Sequence, residues 1–317
     1  MSISTHSQKN GLQILALGAE SAGNFSVFSK GHIFHSEDFG DLLDPKNFAR
    51  FQRSIFNFLK KEKIKPNIII TDLHPLYATT AWGQELAKKF KAEHVEIQHH
   101  IAHIFSQVQK SKVKSQKPFY GIALDGTGYG LNGKIWGGEI FELKTRSCKL
   151  ETERVGHLEN QIMIGGELAI QEPARILIAI LSKFMPKEEV YAHTKKYYSK
   201  NQFELLWSQL QQNFNCLEAS SAGRVLDAVS VLLGFAKNER KSKHEATYLL
   251  EKNSTKPYSD LKPKIIIKKQ ETRNNDQKIF NNQYSIINSN MQYILDTTYL
   301  FEYIVKNINK DKPRIDA

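Results

Sequence analysis

The chain reads as a mixed α/β protein in which an apolar two-strand ribbon occurs twice. Ile14–Leu17 and Phe25–Phe28 are short apolar runs flanking a polar, glycine-containing bend. Phe119–Leu124 and Ile135–Phe141 repeat the arrangement later in the chain. Between the ribbons, a stretch with a 3.6-residue apolar period is followed by a short β-branched run, the pairing of an amphipathic helix with a buried parallel strand.

Each element has its own reason. Asn47–Lys61 carries Phe48, Phe51, Ile55, Phe56 and Leu59 at helical spacing. Ile68–Thr71 is short and β-branched, as buried parallel strands are, and Ala81–Phe90 reads as a helix. Asn132-Gly133 closes the second ribbon, because this pair favours the left-handed turn a two-residue hairpin needs. Asp125–Gly130 is then surplus to turn-making and is expected to form a functional loop. Glu172–Phe184 is a strongly apolar helix, read as core packing.

Two stretches carry chemistry. In Gln98-His99-His100-Ile101-Ala102-His103, His99 and His103 are four apart, on one face of a helix, where two imidazoles share a metal ion. His94 and His100 lie close by. The bland alternative is a half-exposed helix with polar side chains, and the pattern alone does not exclude it. In Asp125-Gly126-Thr127-Gly128, an apolar strand ends in an acidic, glycine-rich turn whose backbone N–H groups suit phosphate.

Composition bounds the remaining classes. A chain of 317 residues holds one or two domains, and 40% hydrophobic residues suffice for a sizeable core. The sequence contains no apolar run long enough to span a membrane, and the first ten residues lack a signal-peptide core. Cys148 and Cys216 are too few for a disulfide scaffold or a zinc knuckle, so a reduced cytoplasmic protein is expected. The net charge of +11 is concentrated late, in Lys237–Lys243 and in the lysines from Lys252 to Lys269. This is read as a solvated linker. No basic pattern interleaved with aromatics occurs, and a nucleic-acid partner is not expected.

Six or seven short motifs in order resemble a known family. They are Leu15–Glu20, Asp72–Pro75, Gln98–His103, Ala123–Gly130 with Trp136–Glu139, Arg154–Leu158, Gly165-Gly166 with Glu172-Pro173, and Ser220–Arg224 with Asp227–Val229. Together they are similar to the carboxy-terminal carbamoyltransferase domain of the hydrogenase maturation factor HypF, related to the TsaD threonylcarbamoyl transferases. The resemblance runs from about Leu15 to about Glu251.

The resemblance implies a two-lobed α/β fold of the actin, hexokinase and Hsp70-like (ASKHA) class. The expected organisation is a disordered segment 1–11, a first lobe 12–115 with the His-x-x-x-His helix, a partial second lobe 116–251, and a Lys/Asn-rich, poorly ordered tail 252–317. That tail holds one short strand at Ile265–Ile267 and one helix at Thr298–Ile308, with Lys269–Asn282 read as loop or disorder. Past this point family members carry a Ser-Gly-Gly-type adenosine loop and a glycine loop whose aspartate completes the metal site. Neither pattern is found here, so the second lobe is expected to be incomplete. Departures also occur at Ala22 and Gly23, where the family has Lys-Asn, and at Lys243 and His244, where it has Glu-Gly.

By resemblance, a YrdC-like domain on another chain makes carbamoyl-adenylate from carbamoyl phosphate and ATP. The transferase domain then passes the carbamoyl group to the carboxy-terminal cysteine of a HypE-type acceptor. His99 and His103 would hold a divalent metal, and imidazole ligands suit iron or zinc. Asp125, Gly126, Thr127 and Gly128 would position the adenylate phosphate. Gly223 and Asp227 would complete the nucleotide site, Asp227 on the ribose, unless Asp227 is a first-turn acid favoured by the helix dipole. No catalytic side chain is assigned. His74 and His157 are read as structural, and Gly165-Gly166 as a backbone turn. The alternative is an inactive or split-gene fragment that needs a partner chain, binds nucleotide poorly and turns over slowly.

Overall fold

The computed structural model of the chain describes residues 11–108, 118–146, 149–255, 258–269, 277–280 and 284–308. The proposed disordered start falls almost wholly outside these, as do Cys148 and most of Lys269–Asn282. The chain divides into two compact α/β units, Met1–Ala102 with Phe280–Asn282, and His103–Ile279 with Gln283–Ala317. The division falls at 102/103, earlier than the 115/116 boundary read from sequence.

The first unit runs β1 (Gln13–Ala16), β2 (Ser26–Ser29), β3 (His32–His35), α1 (Pro45–Lys61), β4 (Ile68–Asp72), α2 (Ala78–Phe90) and β5 (Glu93–Ile97). Its five strands lie in the order β3-β2-β1-β4-β5. β1 and β2 pair antiparallel as the ribbon expected from sequence, with Leu15 opposite Val27. β4 runs parallel to both β1 and β5, as its β-branched composition required. Asp44 caps α1 by accepting the Lys46 N–H at 2.8 Å, and Pro45 sits where a missing N–H costs nothing. The core gathers Leu15, Leu17, Phe25, Phe51, Ile55, Ile69 and Leu86. Trp82 sets its ring about 6 Å from those of Phe48, Phe51 and Phe56. A Cβ on Gly83 would stand 2.3 Å from Thr71 Cγ2, so α2 lies directly on β4.

Helix α3 (His99–Val108) crosses the division. The second unit continues with β6 (Phe119–Tyr129), β7 (Ile135–Arg146), β8 (Lys149–Leu158), β9 (Gln161–Ile164), α4 (Leu168–Gln171) and α5 (Ala174–Leu181). Then come α6 (Lys187–Thr194), α7 (Lys200–Gln211), β10 (Cys216–Ala219), α8 (Ala222–Leu232) and α9 (Glu245–Asn253), followed by β11 (Ile265–Lys269), β12 (Gln277–Phe280), β13 (Tyr284–Leu295) and α10 (Thr297–Ile308). β6 and β7 form the second expected ribbon, in a sheet separate from the first. Every residue of α5 except Arg175 is buried, so the apolar helix is core, although shorter than Glu172–Phe184.

The residues after 252 correct the sequence reading. The expected strand and helix are present as β11 and α10, but β13 runs between them and is no loose tail. It pairs parallel with β8 and antiparallel with β11, inside the sheet. Phe301 and Ile304 of α10 join the core of the second unit, and the Glu159 carboxylate accepts the Thr298 N–H at 2.9 Å at the start of that helix. The β13 sequence, Tyr-Ser-Ile-Ile-Asn-Ser-Asn-Met-Gln-Tyr-Ile-Leu, spaces its apolar residues too irregularly to announce a strand. Among the described residues, no helix is long and apolar enough to cross a membrane.

Candidate functional site

Parallel strand β4 ends at Asp72, and the strand end explains the first half of the site. Asp72 Oδ2 lies 2.7 Å from His99 Nδ1, and Asp72 Oδ1 accepts the His74 N–H at 2.9 Å. All three residues belong to the first unit. With Nδ1–H donating to the buried carboxylate, the lone pair of His99 sits on Nε2, the arrangement that suits an imidazole to ligate a metal. The sequence reading dwelt on His74 in this motif and passed over Asp72. The available signal was an acid at the carboxyl end of a β-branched parallel strand. His74 stacks on Tyr77 with ring centroids 4.1 Å apart, in keeping with a structural residue.

The histidine cluster divides by role. His94 meets Thr71 Oγ1 at 2.9 Å, and burial pulls its imidazole below the usual range. His100 is fully buried, with its ring nitrogen 2.9 Å from Gln98 Nε2. His99 and His103 are one turn apart on α3, with ligand atoms within 4.8 Å of each other.

Within the second unit, His103 and Asp125 also bring ligand atoms within 4.8 Å of each other. Asp125 does not sit in a loop after the strand, as expected, but in a bulge inside β6. Leu124 pairs with Gly138 and Gly128 with Trp136, so four steps on β6 oppose two on β7. The surplus residues bend the strand and re-aim the side chains there. The bulge is pinned from two sides. A Cβ on Gly137 would stand 2.6 Å from Asp125 O, so only glycine lets β7 approach. Ser221 Oγ lies 2.5 Å from Gly126 O and 3.1 Å from Asp125 O, while accepting the Arg224 N–H at 3.1 Å as the N-cap of α8. Ser221→Ala is expected to cost about 1–2 kcal/mol in urea denaturation, the worth of a good N-cap. Thr127 is exposed within this bulge.

Gly223 packs its backbone on the bulge, since a Cβ there would lie 3.0 Å from Gly126 Cα. Asp227 is buried, with Thr247 Oγ1 donating to Oδ1 at 3.4 Å and Arg224 Nη1 2.9 Å from Oδ2. It lies beyond the first turn of α8, which starts at Ala222, so the dipole explanation does not apply. Burial raises the Asp227 carboxyl above the usual carboxylate range, against the pull of Arg224 and Arg240. Gly165 and Gly166 take φ values of 82° and 60° after β9, as a backbone turn requires. His157 is buried in β8, with its Nδ1 2.6 Å from Leu158 O, and burial lowers its imidazole below the usual range.

Two histidines and a carboxylate are a donor set that suits iron or zinc, and the carboxylate behind His99 is the usual companion of a ligating imidazole. Asp72→Asn is expected to weaken divalent metal binding about 10- to 100-fold, read by calorimetric titration, because the amide no longer enforces the tautomer.

Comparison with known proteins follows the same division. A family model described as HypF Kae1-like domain matches residues 9–109, and one described as Carbamoyltransferase, Kae1-like Domain, second subdomain matches residues 121–316. A probable carbamoyltransferase HypF from Methanocaldococcus jannaschii is 34% identical over 310 residues, covering 96% of this chain and 36% of that protein. The crystal structure of T. kodakarensis HypF superposes with a TM-score of 0.75 at 31% identity, over 95% of this chain and 37% of the other. Full-length HypF in its phosphate- and nucleotide-bound form gives a TM-score of 0.75 at 25% identity, over 94% and 35%. The chain thus spans about a third of the length of these relatives. The likeness does not stop near Glu251, as read from sequence, because the second-subdomain match continues through β13 and α10. The chain belongs to the HypF carbamoyltransferase family, matched across both subdomains of its Kae1-like domain.

Proposed function

We propose that this chain transfers a carbamoyl group from carbamoyl-adenylate to the carboxy-terminal cysteine of a HypE-type acceptor, on the way to a [NiFe] hydrogenase centre. The acceptor thiolate attacks the carbamoyl carbon, a C–S bond forms, the bond to the phosphate oxygen breaks and AMP leaves. A YrdC-like domain supplies the adenylate, and the reaction belongs in the cytoplasm. The observation that supports this reading best is the His99, His103 and Asp125 donor set in a chain of this family.

In this reading His99, His103 and Asp125 hold iron or zinc, which when bound acts as a Lewis acid on a carbonyl or phosphate oxygen. Asp72 fixes the His99 ring. The Asp125–Gly128 bulge and Gly223 present backbone to the phosphate, and Asp227 accepts from the ribose hydroxyls. The test is transfer from synthetic carbamoyl-adenylate to a HypE-type acceptor, with and without divalent metal, followed by mass spectrometry. Gain of one carbamoyl group on the terminal cysteine supports the reading. An unmodified acceptor with metal present sinks it.

A further inference from the structure

The proposed nucleotide site holds a phosphate against two carboxylates, Asp125 and Asp227, and backbone alone does not balance that charge. Arg224 supplies the missing cation. It lies in the first turn of α8 and is 95% buried, yet its guanidinium is underused. Among the described residues, Nε has no hydrogen-bond partner, and Nη1 faces Asp227 Oδ2 at 2.9 Å outside hydrogen-bond alignment. Nη2 points at the bulge, 3.3 Å from where a Cβ on Gly126 would stand. A buried guanidinium with idle donors is costly unless something completes it.

The surroundings narrow that something to an anion. The first-turn N–H groups of a helix lack intrahelical acceptors, and α8 is long enough to present a full positive end. Gly223 and Gly126 pack backbone against backbone without side chains, with Nη2 of the guanidinium beside Gly126. Arg240 is close enough to press on both Arg224 and Asp227. Arg224 and Arg240 together offset the two carboxylates, Asp227 and Asp125, that act on the Arg224 guanidinium.

We propose that Arg224 binds the phosphate group of a nucleoside monophosphate ester, with Nε and Nη2 as a two-pronged donor beside the Gly126 bulge. Asp227 then holds the guanidinium fork in place from behind. The planar fork matches a phosphate edge in a way an ammonium does not. The identity of the anion as an adenylate rests on the carbamoyl-transfer reading; the anion site itself does not.

The test is calorimetric titration of the full 317-residue chain with AMP, adenosine and inorganic phosphate. Wild type is expected to prefer AMP over adenosine by about 10- to 100-fold, the worth of a charge-assisted hydrogen bond. In Arg224→Gln that preference collapses to about one while adenosine affinity is kept. Arg224→Lys, which keeps the charge and guards against a folding defect, falls between the two. An AMP preference that survives Arg224→Gln overturns the proposal, as does a wild-type chain that binds neither AMP nor phosphate. Phosphate binding that depends on Arg224, with no gain from the nucleoside, upholds the anion site and sinks the adenylate reading instead.

Discussion

Alanine at both His99 and His103 is expected to abolish divalent metal binding, and alanine at either one to weaken it by at least about tenfold. The size follows from the donor count. In the proposed centre His99, His103 and Asp125 would supply three protein ligands, the number that leaves a position open for substrate. Removing one leaves a two-point site that competes poorly with water, and removing two leaves a lone carboxylate. The single variants should not be equal. His99 is held by Asp72 at 2.7 Å, and its ring orientation is set before metal arrives. His103 is exposed on α3. Losing the pre-set ligand forfeits a contact whose ordering entropy is already spent, so His99→Ala should lose more than His103→Ala. Calorimetry with iron(II) or zinc reads the three affinities, with circular dichroism to confirm that α3 persists. A double variant that binds metal as tightly as wild type would remove the centre from this site.

Much of this was legible in the sequence because period and spacing are local properties. Both ribbons, helices α1 and α2, and parallel strand β4 followed from patterns a few residues long, whereas the two-lobed arrangement came from the family resemblance. So did the facing of His99 and His103, since helical spacing alone decides it. What escaped depends on distant partners. Asp72 becomes a histidine's support only because β4 ends beside the start of α3, at a sequence distance no pattern spans. The Asp125 bulge is created by the pairing of β6 with β7, and by Ser221 reaching back from α8. β13 was hidden by its asparagines and serines, and its place between β8 and β11 is set by the neighbours' register. Arg224 was quoted within a motif, but its idle donors are visible only once its burial is known.

Glu139 and Arg154 make the other large effect, and their pairing fails if either is changed alone. Arg154 Nε and Nη2 reach Glu139 Oε2 at 2.6 and 2.5 Å, and both side chains are buried. Burial draws the guanidinium below its usual range, with Glu139 opposing. Arg154 also lies over the Trp136 ring at 4.2 Å. The other carboxylate oxygen, Oε1, accepts the N–H groups of Gly137 and Gly138 at 3.1 and 3.3 Å and the Ser220 hydroxyl. One acid therefore ties β7 to β8 and to the residue before the Ser221 cap, behind the Asp125 bulge. Glu139→Gln keeps the amide oxygen for those donors and strands the guanidinium; Arg154→Met strands the carboxylate. Each single change is expected to cost about 3–5 kcal/mol, because an unpaired charge is left in the interior. The double variant Glu139→Gln with Arg154→Met removes both charges, keeps the backbone bonds, and should be more stable than either single variant. Urea denaturation followed by tryptophan fluorescence measures all four proteins. Losses that simply add in the double variant would mean that the two side chains act independently, and that the pair is not what holds β7 and β8 in register behind the bulge.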